Sequence, residues 1–190
     1  MNRILPGIAL SLVAAPVMAH TGGGATTGLV HGLEHPILGA DHLLAMLAVG
    51  LWSGFVLPSR VLSGAAVFLS AMVAGGGLAA ARVPVPGVEA MILASVLVFG
   101  ALVLVSREKQ RWQLTVLSLA TIGFFAASHG YAHVSEATGM VAAYFAGFVI
   151  STAALHLAGI CLARLVAGRE PLQRAIGGTV IASGLALIVG

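Results

Sequence analysis

Long apolar stretches separated by short polar breaks set the pattern of this chain. Six of them cover about residues 36–57, 61–81, 88–106, 114–133, 140–166 and 172–189. Each holds roughly 18–27 residues, enough at 1.5 Å per residue to cross a hydrocarbon core about 30 Å thick. The apolar positions run continuously and do not alternate, so the segments read as helices. Inside lipid only helices and closed barrels satisfy every backbone N–H and C=O. The pattern predicts an all-α, polytopic membrane protein built as a bundle of six transmembrane helices.

The first residues read differently. Arg3 is followed by an apolar run too short to span and then by Val17-Met18-Ala19. This is the layout of a cleavable signal peptide over residues 1–19, which leaves His20 as the mature N-terminus of a permease domain over residues 20–190. The Gly/Thr-rich residues 21–27 then read as a flexible tether.

Composition agrees with lipid as the main solvent. Of 190 residues, 59% are hydrophobic and only 8% are charged, against about a quarter charged in soluble domains. The net charge of +3 does not point to nucleic acid, because the basic residues are scattered between apolar stretches. Placed on the loops, they give an orientation. With a periplasmic mature N-terminus, Arg60, Arg107, Lys109, Arg111, Arg164, Arg169 and Arg174 are cytoplasmic, and only Arg82 lies on a periplasmic loop. That is a strong positive-inside bias. It predicts a bacterial inner-membrane protein with both mature termini in the periplasm. Trp52 and Trp112 fall at cytoplasmic helix ends, as interfacial tryptophans do. Cys161 stands alone, so it can form neither an internal disulfide nor a thiolate metal site, and it reads as a small core residue. There is no Walker motif, and Lys109 is the only lysine.

Histidine is the exception to this apolar economy. The first helix opens with His31, Glu34 and His35, followed by Pro36, Asp41 and His42; the fourth closes with His129, His133 and Glu136. An aspartate at a helix centre costs about 2.5–3.5 kcal/mol on insertion, so Asp41, read as a turn and a half inside the first helix, should be paired or functional. With Pro36 in the first helical turn, His35, His42 and Met46 share one face at i, i+7 and i+11. His129 and His133 are one turn apart, with Glu136 continuing that face. Both clusters fall at the periplasmic side. Their shared HGxxH pattern could suggest an inverted repeat, but such a repeat would place equivalents at opposite membrane faces; convergence on one site explains them better. His156, with Thr152 one turn earlier, forms a deeper polar station. His20, with its free amine, would be a tethered chelator. Imidazole and carboxylate together suit Ni²⁺, Co²⁺ and Zn²⁺, whereas Cu⁺ asks for more sulfur and Mg²⁺ or Ca²⁺ for more oxygen.

The segment His35-Pro36-Ile37-Leu38-Gly39-Ala40-Asp41-His42-Leu43-Leu44-Ala45-Met46 closely resembles the HPxxGxDHxLAM signature of the HupE/UreJ family, nickel permeases associated with hydrogenase and urease accessory genes. The resemblance continues through Ala48-Val49-Gly50-Leu51-Trp52 and extends to the layout of the whole chain. The second cluster resembles the family's FHGxxHGxE, with Ser128 in place of Phe and Val134 in place of Gly. The resemblance implies Ni²⁺, or Co²⁺, as transported cargo with no resident cofactor. It makes His35, Asp41, His42, His129, His133 and Glu136 the transport ligands. The remaining candidates, His20, His31, Glu34, Met46 and His156, are accessory.

Three rivals compete with a permease. His31-Gly32-Leu33-Glu34-His35 matches the H-x-x-E-H pattern of zinc peptidases, although Pro36 argues against a continuous helix through it. Histidine pairs could hold haem, but Asp41 suits an apolar haem pocket poorly. A membrane metal-binding protein that does not conduct would use the same ligands. The sequence leaves the oligomeric state open.

Two measurements check the layout. Mass spectrometry of membrane-extracted protein is expected to find a chain starting at His20; an intact Met1 would remove the amine ligand. A reporter fused after Gly190 is expected to behave as periplasmic and one at Lys109 as cytoplasmic; the reverse pattern would invert the site.

Overall fold

The computed structural model describes residues 26–137 and 140–189. The expected signal peptide and His20 lie outside the described residues. Among those residues the structure is entirely helical: α1 (Thr26–Leu38), α2 (Ala40–Val56), α3 (Ser63–Ala80), α4 (Val88–Val105), α5 (Trp112–Glu136), α6 (Val141–Leu165) and α7 (Glu170–Val189). Five of these, α3 to α7, are long and apolar enough to cross a membrane. A sixth crossing arises when α1 and α2, bent by 76° at Gly39, count as one broken span.

The first span is where sequence and structure part. Thr26 and Thr27 belong to α1 and not to a tether, and Pro36 lies inside α1, near its end. Proline supplies no N–H and restricts the residue before it, so a helix containing it is poised to break. The break comes at Gly39, whose extended backbone (φ −80°, ψ 110°) starts α2. Asp41 is therefore in the first turn of a new helix, where a carboxylate meets unpaired N–H groups and the positive end of the helix dipole. His35 and His42 meet across the bend, not along one continuous face.

Packing between helices relies on bare backbone. A Cβ on Gly32 would overlap the Tyr144 carbonyl, and one on Gly147 would overlap that of Leu29, so α1 lies directly on α6. Gly50 and Gly159 join α2 to α6 in the same way, with the two helices parallel. Gly75 meets Ala127, and Gly130 meets Met72, which brings α3 and α5 together, also parallel. Gly100, Gly177 and Gly184 join α4 to an antiparallel α7. Small residues matter here because lipid gives helices no hydrophobic drive to associate, and close van der Waals contact must supply it.

These pairings have a symmetry. With α1/α2 as the first span, exchanging the two sets of three spans maps the α2–α6 pair onto α3–α5 and returns α4–α7 to itself. That is the pairing expected of a three-plus-three inverted repeat. The histidine clusters do not follow it: they converge at one end of the bundle.

At the opposite end, Trp52 is buried (1% exposed) and donates its indole N–H to Ser106 Oγ at 3.0 Å. It is thus a packed anchor and not an interfacial residue; Trp112, 62% exposed, keeps the expected position. Gln173 donates to the carbonyls of Val103 and Ser106, both at 2.8 Å, and so caps the end of α4. Cys161 is exposed on α6 and is not a core residue.

Gly130→Ala is expected to destabilise the bundle by about 1–3 kcal/mol, the usual range for overpacking. Gly77→Ala, with open space around it, should be neutral or mildly stabilising. Thermal unfolding in detergent compares the two.

Candidate metal centre

Three elements bring the site together at one end of the bundle. The end of α1 carries His35, the start of α2 carries Asp41 and His42, and the last turns of α5 carry His129 and His133. One ligand nitrogen from each of His35, His42 and His133 lies within 4.8 Å of the others. Nitrogens bound to one ion at about 2.0–2.1 Å stand roughly 3–4 Å apart, so small side-chain rotations close the set. The ring centroids of His42 and His133 are 4.5 Å apart, and those of His35 and His133 are 4.8 Å apart. Phe148 stacks on His133 at 3.6 Å and walls the group from the apolar side.

Asp41 stands outside this group of three nitrogens and hydrogen-bonds one of its members. Its Oδ1 accepts the backbone N–H of His42 at 2.8 Å and the His42 Nδ1–H at 2.7 Å. A carboxylate accepts only, so the His42 proton is fixed on Nδ1 and Nε2 presents a bare lone pair. That Nε2 is buried with no partner. A carboxylate holding the far nitrogen is the usual support of a metal-ligating histidine.

His129 obeys the same logic. Ser95 Oγ has one proton and donates it to the Ile92 carbonyl at 2.6 Å. At 3.0 Å from His129 Nε2, Ser95 Oγ must therefore accept, which puts the proton on Nε2 and leaves Nδ1 bare. His129 Nδ1 is buried without a partner, and its ring lies 4.9 Å from that of His42. His133 Nδ1 meets Tyr144 Oη at 3.3 Å, and its Nε2 is again unpartnered. The sequence held no sign of Ser95 or Tyr144, because hydroxyl groups on other helices become partners only through packing.

The remaining candidates fall elsewhere. Glu136 ends α5, exposed, with its carboxylate beside that of Glu89 in the first turn of α4. Glu89, which the sequence reading did not single out, thus stands at the rim of the site. Its place in a helix's first turn, where carboxylates are favoured, was the available signal. His31 and Glu34 are exposed on α1 and do not enter the cluster. Residues 31–35 are helical after all, yet only His35 of the H-x-x-E-H set turns into the bundle. Met46 is fully buried one turn below His42. His156 is fully buried on α6, further along the bundle.

Asp41→Asn is expected to lower metal affinity about 10- to 100-fold, as loss of a supporting partner does, while the protein still folds. Isothermal titration of Ni²⁺ into purified protein reads this directly. Unchanged affinity would reduce Asp41 to a helix-start residue.

A family model described as HupE / UreJ protein matches residues 8–187. Protein HupE of Rhizobium leguminosarum bv. viciae is 35% identical over 190 residues, with 95% of each chain covered. No solved structure gives a significant match. With both motifs present and nearly the whole length matched, the chain belongs to the HupE/UreJ family.

Proposed function

We propose that this protein is an inner-membrane permease that carries a divalent transition metal, Ni²⁺ with Co²⁺ as the alternative, into the cytoplasm for hydrogenase or urease maturation. The observation that carries the reading is the convergence of His35, His42 and His133 from three separate helices, with ligand nitrogens within 4.8 Å. Membership of the HupE/UreJ family supports it. In this reading the histidine end faces the periplasm, the arginine-bearing loops face the cytoplasm, and the metal is cargo with no resident cofactor. The orientation follows from the loop charges.

Neutral imidazoles suit such a station. They bind a borderline-soft divalent ion without cancelling its charge, so the ion still responds to the membrane potential. The single adjacent carboxylate, Asp41, offsets part of the cost of placing that charge among apolar helices. Glu89 and Glu136 at the rim add negative potential that attracts cations to the mouth.

With no Walker motif in the sequence, the potential itself is the natural driving force. Each 100 mV is worth about 4.6 kcal/mol for a doubly charged ion, a concentration ratio of more than about a thousandfold. Proteoliposomes clamped with K⁺ and valinomycin are expected to take up Ni²⁺ faster as the interior becomes more negative. Uptake that ignores the potential and follows a proton gradient would overturn the passive mechanism, and no saturable uptake or binding of Ni²⁺ or Co²⁺ would overturn the permease.

A further inference from the structure

Six buried side-chain atoms lack a hydrogen-bond partner among the described residues: His42 Nε2, His133 Nε2, His129 Nδ1, Thr152 Oγ1, His156 Nε2 and Ser53 Oγ. Random packing faults would scatter, since buried polar groups are normally satisfied. These follow one another through the bundle. The first three belong to the outer cluster. The ring of Phe68 touches both His129 and His156, at 5.5 and 4.9 Å between centroids. Gly50 packs on the backbone of His156, and Gly50 is two turns, about 12 Å, beyond His42 along α2. Ser53 comes nearly one turn further along the same helix.

We propose that His156 and Thr152 form a second metal-coordination station, deeper in the bundle than the outer cluster, which receives a divalent transition ion from it. The proposal rests on the permease reading above. His156 Nδ1 lies 2.7 Å from the Thr152 carbonyl oxygen, which can only accept. The proton is therefore on Nδ1, and Nε2 presents its lone pair. A backbone carbonyl on the far nitrogen is a standard support for a ligating imidazole.

A purely structural histidine would look different. Polar residues that hold membrane helices together hydrogen-bond across to a neighbouring helix. The one bond of His156 stays within α6, so it ties nothing together, and its other nitrogen is spent on no partner although the residue is fully buried. Thr152 shows the same departure. Ser118 and Thr179 turn their hydroxyls back to carbonyls four residues earlier, the usual way to satisfy a helical hydroxyl. Thr152 Oγ1, fully buried one turn from His156, makes no such bond. Nitrogen and hydroxyl oxygen together make a weak site for a borderline ion. Weak binding is what an intermediate station needs, because an ion must be able to leave it.

The test uses full-length protein, Co²⁺ absorption titration in detergent and Ni²⁺ influx into proteoliposomes. Wild-type protein that neither binds nor transports either ion refutes the permease reading itself. Given wild-type influx, His156→Gln and Thr152→Val are expected to lower it by roughly tenfold or more and to abolish a second, weaker Co²⁺ binding event. The tighter event at the outer cluster should be unchanged. Wild-type influx in both variants overturns the proposal. So does reduced influx with an unaltered Co²⁺ titration, which would mark a structural role. Should His156→Gln fail to fold, Thr152→Val decides alone, because it exchanges a hydroxyl for a methyl of equal size.

Discussion

A lone pair without a donor is expensive inside an apolar bundle, and this fold arranges several of them on purpose. Three of them are fixed by a proton held on the other side of the same ring. The Asp41 carboxylate holds His42, the Ser95 hydroxyl holds His129, and the Thr152 carbonyl holds His156. An imidazole has one proton when neutral, so pinning it at one nitrogen dictates what the other can do. The chemistry at this end of the molecule follows from that accounting. It also explains why these three supporting groups all act as acceptors.

The break at Gly39 makes the first of these bonds available. An unbroken helix through residues 36–57 would have committed the His42 N–H to a carbonyl one turn earlier. It would also have left Asp41 stranded at depth, at a cost of kilocalories. Restarting the helix at Ala40 turns the problem around. The first-turn N–H groups need an acceptor, Asp41 supplies one, and the same oxygen then reaches the imidazole. Ahead of the break, α1 is held on α6 through Gly28, Gly32 and Gly147. Glycine packing and ligand placement are thus one requirement. A side chain at Gly130 would push α5 from α3 between the two histidines it carries.

The inverted pairing of the helices and the one-sided grouping of the histidines look contradictory but answer different demands. Pairing is set by where small residues let backbones touch, and the two halves of the chain share that pattern. The histidines of a metal site must meet at a point, whatever their ancestry, and here they do so at one end of the bundle.

Much of this was legible from residues alone. Continuous apolar runs of spanning length required helices, because lipid offers the backbone no other partner, and α3 to α7 appear within a few residues of expectation. Histidines in so apolar a chain marked the candidate site, because burying titratable groups without a use is too costly to be common. The bend was less legible. Pro36 and Gly39 signalled weakness, but whether a weak helix breaks depends on what packs against it, and that was α6. Exposure followed the same rule. Trp52 and Trp112 occupy similar places in the pattern, yet one is buried on Ser106 and the other faces outward. Glu136 stood beside Asp41 among the expected ligands and Glu34 among the accessory candidates, and of the three it is Asp41 that hydrogen-bonds an imidazole. Sequence determined which groups were present and roughly at what depth, since helical rise is a property of the backbone. Tertiary structure decided which of them touch and which ring nitrogens are left bare, because those depend on hydroxyls and carbonyls brought in from elsewhere along the chain.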